Sequence, residues 1–305
     1  MDLSIVITTR NRKKDLLECI NSIKESGLKN IEYELIIVDD ASDDGTEKIS
    51  DKGIGLNNVK IIHNDTQQMM VRSRNIGAKN SSGKYVLFID DDNIIDKGMI
   101  SNLVLFADGN KEYGMIGPSM YYFESKEKYM DYQKISLITG KTSYFIGNEG
   151  SNHFDSDGIP NVFMIKKEAF EVCGYFDEKL IQTYTEPDFA KMIQKKGFKC
   201  CIVPKAKTYH KIKKEDDLKP ISMGGKFKQK AYCLIRNRVV YIARYGNFFN
   251  KFLYAIFFSW FWPCVYSFFA LKNRRLDLVK LYWRGFYDGM VYLITGKLES
   301  TVNIN

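Results

Sequence analysis

The chain has 305 residues, 45% of them hydrophobic and 27% charged, with a formal net charge of +8. This composition excludes a disordered, collagen-like or low-complexity chain and fits one large folded domain, or one domain with an appendage. Charge is unevenly placed: residues 1–188 hold 22 Lys+Arg against 31 Asp+Glu and residues 189–305 hold 23 against 6, so the second part is suited to an anionic surface or substrate.

In chain order, "LSIVITT" (3–9) predicts a strand. "KKDLLECINSIKES" (13–26) places Leu16, Leu17, Ile20 and Ile23 on one helical face, with Gly27 as stop. "YELIIVDD" (33–40) is the next strand, after which Ser42 is expected to cap a helix. "VKIIHN" (59–64), a helix over 69–80 and "KYVLFID" (84–90) continue the alternation. Strands alternating with helices predict a mostly parallel sheet flanked by helices. In such sheets function sits at the carboxyl ends of strands. Those ends read "TTRNR", "VDDAS", "HND" and "IDDDN", and three of the four carry acids.

The pattern is less regular after residue 110. "NVFMIKKEAFEVCGYFDE" (161–178) predicts a strand, a short helix and a turn, and residues 186–197 a helix with acids at its start. "FKCCIVP" (198–204) predicts a strand stopped by Pro204, followed by a lysine-rich linker over roughly 205–230. "RNRVVYIARYGNFFNK" (236–251) resembles a basic membrane-surface segment. "FLYAIFFSWFWPCVYSFFAL" (252–271) has no charge, is long enough to cross a bilayer, and carries Pro263 where a helix would kink. The expected division is residues 1–215 as the sheet domain and 216–305 as a helical region for membrane attachment. Spanning and lying in one leaflet both remain open. Cys19, Cys173, Cys200, Cys201, Cys233 and Cys264 include no C-x-x-C pair, so free thiols in a reducing compartment are expected. The opening "MDLSIVITTRNR" is expected to be a first strand, not a secretory leader.

The acidic run Asp90-Asp91-Asp92 ends an apolar strand. Adjacent carboxylates are stable together only near cations, and a divalent Mg2+ or Mn2+ that also binds a diphosphate meets that need. Asp39 and Asp40 suit a base or ribose. The first loop, Thr8-Thr9-Arg10-Asn11-Arg12, brings cations and hydroxyls to the same edge. Arg72 and Arg74 suit a phosphate. No P-loop and no G-x-G-x-x-G is present, which argues against ATPase and dinucleotide classes. A nucleic-acid partner is not expected, because the basic residues adjoin an apolar 20-mer and the site end of the sheet is acidic.

Taken together, "SIVITTRNR", "ELIIVDDASDDGT", "RSRNIGA", "GKYVLFIDDDN", "KKEAFEVCGYFDE" and "EPDFAKMIQKKGFK" resemble, in order and spacing, family 2 glycosyltransferases of the GT-A fold. The later part, with "WRGFYDGM", is similar to the rhamnosyltransferase-like branch. The motifs cover roughly residues 1–210. The resemblance implies an inverting transferase that moves a sugar from a nucleotide-diphosphate donor to a hydroxyl of a glycan or lipid-linked acceptor, at the cytoplasmic face of a membrane. It implies donor contacts from Thr8, Thr9, Arg10, Asp39, Asp40, Arg74, Asp90 and Asp91. Asp92, with Asp90 and His210, would hold Mn2+ or Mg2+. The family's "E-D" pair reads here as Glu186-Pro187-Asp188, so register gives Glu186 the base position, with Asp188 as the alternative. A polyprenyl-phosphate glycosyltransferase and a non-catalytic membrane scaffold are the rival readings.

Overall fold

A computed structural model describes residues 1–28, 30–212 and 228–298. The chain forms two compact units. One comprises Met1–Lys134, Tyr144–Phe176 and Phe189–Ile212; the other comprises Ile135–Ser143, Asp177–Asp188 and the described C-terminal residues 228–298.

The first unit opens with β1 (Leu3–Thr9), α1 (Lys13–Glu25), β2 (Tyr33–Asp39), a one-turn α2 (Asp51–Ile54), β3 (Val59–His63), α3 (Met69–Lys79) and β4 (Tyr85–Asp90). β5 (Asn93–Ile95), α4 (Met99–Gly109), β6 (Tyr113–Tyr122) and β7 (Lys128–Met130) follow. Then come the paired β8 (Tyr132–Ile135) and β9 (Thr142–Phe145), β10 (Phe154–Asp155), β11 (Val162–Lys166), α5 (Lys167–Cys173), α6 (Thr185–Gln194), whose residues up to Asp188 count with the second unit, and β12 (Lys199–His210). The main sheet runs β10-β12-β6-β11-β4-β1-β2-β3, with β5 on β12 and β7 on β6. β3, β2, β1 and β4 are mutually parallel, and β11 inserts antiparallel beside β4. β1 and β4 read as near-continuous apolar runs because both faces of the sheet are covered, one by a core with Leu16, Ile20 and Leu103, the other by a core with Val71, Phe163 and Phe189. Helix α3 lies hard against β1: a Cβ on Gly77 would come within 2.3 Å of Val6 Cγ1, so only glycine permits this approach.

Two sequence expectations change here. Ser42 caps no helix. Its hydroxyl accepts from the Asn11 amide, and Asp44 accepts from the Lys13 amide, so this loop ties down the loop after β1. Strand β12 does not stop at Pro204 but continues to His210, through residues expected to begin a linker. Its register to β6 breaks between Val203 and Lys207, so proline's missing N–H falls at an irregularity that the ladder already tolerates. The rest of that expected linker, 213–227, lies outside the described residues.

The second unit is built on α7 (Lys228–Tyr245), α8 (Phe248–Leu253), a π-helical turn (Tyr254–Phe258), α9 (Phe261–Lys272) and α10 (Leu276–Thr295). Its core joins Ala231, Ile235, Ala270, Leu278 and Tyr282. The "RNR" stretch corrects the membrane-surface expectation for the first residues of 236–251: Arg236, Asn237 and Arg238 are 1%, 0% and 5% exposed. Arg236 donates to the carbonyls of Lys179 and Leu180, and Asn237 Nδ2 to those of Leu180, Gln182 and Thr183 at 2.8, 2.6 and 3.0 Å. Arg238 Nε donates to Tyr184 Oη at 3.1 Å. The clasped segment has Ile181, Thr183 and Tyr184 at φ 64°, 60° and 58°, a conformation costing about 1–3 kcal/mol per non-glycine residue and held by these bonds.

Candidate active site

In the first unit, register assembles the site. Thr8 lies opposite Asp90 and Thr9 opposite Asp39, so the loops after β1, β2 and β4 converge at one sheet edge. β5 pairs with β12 so that Asn93 faces His210, which brings His210 beside the acidic run from more than a hundred residues away.

Each aspartate of the run meets a cation from the chain itself. Arg74, buried on α3, donates to Asp90 Oδ1 at 2.6 Å. Arg12 Nη1 lies 2.9 Å from Asp91 Oδ1 and 2.8 Å from Asp92 Oδ2. His210 Nε2 lies 3.6 Å from Asp92 Oδ1. Much of the charge that balances the run is therefore internal to the chain, where a metal alone was expected to supply it. Arg12 was expected at this edge only as one of the first loop's cations, not as the partner of the acidic run. Its signal was a second arginine in "TTRNR", and Asn11 at φ 50° turns the chain there.

Asp91 is buried and also accepts from Thr9 Oγ1 at 2.7 Å; burial, opposed by Arg12, pushes its carboxyl up to about 7. Asp92 keeps 26% of its side chain exposed. Burial would raise it too, but His210 and Arg12 hold it well below the usual carboxylate range. Asp40 accepts from the Gln68 and Met69 amides at 2.6 and 2.9 Å and so fixes the start of α3. Asp39 is buried and pairs with His63 Nδ1 at 3.0 Å. Thr8 is half-buried and Arg10 exposed at the same edge; Arg72 is exposed on α3.

Among the described residues no three His, Cys, Asp or Glu side chains converge as a metal cage. The donor set at Asp92 nevertheless fits a divalent cation completed by diphosphate oxygens, since one carboxylate faces one imidazole and both are partly open. Asn161 Nδ2 and Tyr129 Oη lie 3.2 and 3.3 Å from His210 Nδ1 and hold the ring from that side, with Nε2 turned to Asp92.

In the second unit, Glu186 is half-buried in the first turn of α6 and accepts from Thr185 Oγ1 at 2.8 Å. Asp188 is 2% exposed. Arg244 Nη1 reaches its two oxygens at 3.0 and 2.9 Å, and Tyr245 Oη donates at 2.8 Å. Burial pushes the Asp188 carboxyl up, against the pull of Arg244 and Tyr245.

The architecture, with acidic loops at the carboxyl edge of its sheet, is of the GT-A class of nucleotide-sugar transferase folds. The family model for glycosyl transferase family 2 matches residues 4–174, more than half of the chain, and the chain belongs to that family. Among curated relatives, poly(ribitol-phosphate) beta-N-acetylglucosaminyltransferase TarS of Staphylococcus aureus is 31% identical over 109 residues, covering 35% of this chain and 19% of TarS. Glycosyltransferase GlyG of Streptococcus pneumoniae is 27% identical over 180 residues, covering 55% of this chain and 58% of GlyG. The matches therefore span less than two thirds of these relatives. Among solved structures, Staphylococcus aureus TarS 1–349 with UDP-GlcNAc gives a TM-score of 0.57 at 16% identity, covering 96% of this chain and 82% of that one. A mannosyltransferase of Pyrobaculum calidifontis, with GDP-Man and Mn2+, gives 0.59 at 14% identity, covering 97% and 87%.

Proposed function

We propose that this chain is an inverting, metal-dependent glycosyltransferase that moves a sugar from a nucleotide diphosphate to a hydroxyl of a lipid-linked glycan, at the cytoplasmic face of a membrane. The observation that carries this reading is Asp92 beside His210 and Arg12 at an edge shared with Asp39, Asp90 and Arg74. Relatives named for glycosyl transfer, and similar folds solved with UDP-GlcNAc or with GDP-Man and Mn2+, support it.

In this mechanism Asp39 and Thr8 border the nucleoside, while Arg12 and Arg74 set positive charge beside the diphosphate. Mn2+ or Mg2+ held by Asp92 and His210 would supply further charge to offset the leaving group. Glu186 takes the proton of the acceptor hydroxyl as that oxygen bonds to the anomeric carbon. The bond to the diphosphate breaks with its electron pair leaving on the phosphate oxygen, and configuration inverts. Asp188, engaged by Arg244 and Tyr245, positions α6 and leaves Glu186 as the base. The test is transfer by Glu186→Gln in saturating donor and Mn2+. A fall of roughly 10²-fold or more in kcat with little change in donor KM is expected. Near wild-type turnover would refute the base and favour a phosphate acceptor that needs no deprotonation.

A further inference from the structure

The exposed faces of α8–α9 and α10 are unlike the rest of the surface. Phe257, Trp260, Phe261, Phe268 and Leu271 stand 42–65% exposed. On α10, Trp283, Tyr287, Val291 and Ile294 recur at helical spacing, with Ile294 80% exposed. Each helix buries its opposite side within the unit: Pro263, Ser267 and Ala270 on α9, and Leu278, Tyr282 and Gly285 on α10. Phe248 to Lys272 is the one described stretch long and apolar enough to cross a bilayer, at 25 residues.

Crossing conflicts with what holds its centre. Arg238 lies 4.1 Å from the Trp262 ring and donates to Tyr266 Oη at 2.9 Å, and Trp262 Nε1 donates to the Thr139 carbonyl at 2.6 Å. A spanning path would carry a guanidinium and irregular backbone to mid-bilayer. Charge identifies the occupant of the face. Lys272, Arg274, Lys280, Arg284 and Lys297 are exposed around it. The acids nearby are engaged, Asp277 by Arg275 and Asp288 by Tyr232 Oη.

We infer that α8–α9 and α10 lie in the plane of one anionic lipid leaflet, docking by two apolar stripes without crossing it. The inference rests on the membrane partnership proposed above and adds its mode. Arg236, Asn237 and Arg244 of α7 clasp Lys179–Asp188, so the residues docking on lipid and those carrying Glu186 share one compact unit.

The test uses the full chain, tagged at both ends, floated with vesicles of mixed phosphatidylcholine and phosphatidylglycerol. The expected result is flotation, removal of both tags by protease added outside, and a roughly tenfold lower partition for F257D/F268D and, separately, for Y287D/I294D. Protection of the C-terminal tag would overturn the in-plane mode while leaving the membrane partnership standing. Wild-type flotation of the Y287D/I294D variant would overturn the second stripe. Absence of flotation, with a concentration-dependent dimer in sedimentation, would overturn the partnership itself and assign the face to a second copy. The tag measurement needs no variant, so misfolding of a substituted chain leaves the test intact.

Discussion

Replacing Asn237 with leucine removes the centre of the clasp on residues 179–183. Asn237 donates from Nδ2 to three carbonyls and accepts from Arg236 Nε at 2.8 Å, all within a buried environment. Two donated hydrogens and one accepted bond, each worth about 1–1.5 kcal/mol net, would be lost, and the stranded carbonyls add about 1–3 kcal/mol. Relaxation of Ile181, Thr183 and Tyr184 from the left-handed region returns part of this. A loss of about 3 kcal/mol is expected for Asn237→Leu. Urea unfolding followed by tryptophan fluorescence reads the right part of the molecule, because all three tryptophans, Trp260, Trp262 and Trp283, lie in the second unit. A loss below about 1 kcal/mol would mean that the loop keeps its form without the clasp, and would refute the reasoning.

Gly285→Ala would bring a Cβ within 2.5 Å of the Tyr232 carbonyl oxygen, forcing α10 off α7; a loss of about 1–3 kcal/mol in the same unfolding assay is expected. Arg12→Met takes their shared cation from Asp91 and Asp92 and leaves them only Thr9 and His210, so stability without metal should fall by about 2–3 kcal/mol, with millimolar Mn2+ restoring part of it in a thermal melt. At the other end of the sheet, Glu34 accepts from Ser4 and Ser82, which hold its carboxyl below the ordinary range against the opposing effect of burial. A carboxyl depressed in the folded state adds stability above its unfolded pKa and loses it as pH falls through the folded value. Glu34→Gln should therefore flatten the acid limb of a stability–pH profile below about pH 4 and leave its slope at neutral pH unchanged.

The central strands were legible because β1, β2 and β4 are buried on both faces and so read as unbroken apolar runs bounded by charge. The acidic loop ends were legible for the same reason: charge directly after such a run marks where the strand leaves the apolar core for the sheet edge. Contacts between distant segments were not. Nothing in "RNR" distinguishes arginines facing lipid from arginines facing backbone carbonyls some fifty residues earlier, and composition favoured the wrong partner. Nor did spacing show that Arg12, not Arg10, turns back onto the acidic run, since that depends on the backbone at Asn11. His210 was placed by resemblance. Its physical cause, the β5–β12 register, became visible only with the strands paired.

The second unit is stitched from three separated stretches, Ile135–Ser143, Asp177–Asp188 and the C-terminal part. That limits how such a protein can be recombined. A C-terminal half exchanged between relatives would arrive without the loop its "RNR" was shaped to grip, and the retained loop would keep three left-handed residues with nothing to hold them. Exchange of the second unit as a folded whole would then require residues 135–143 and 177–188 to travel with the helices, as one non-contiguous cassette.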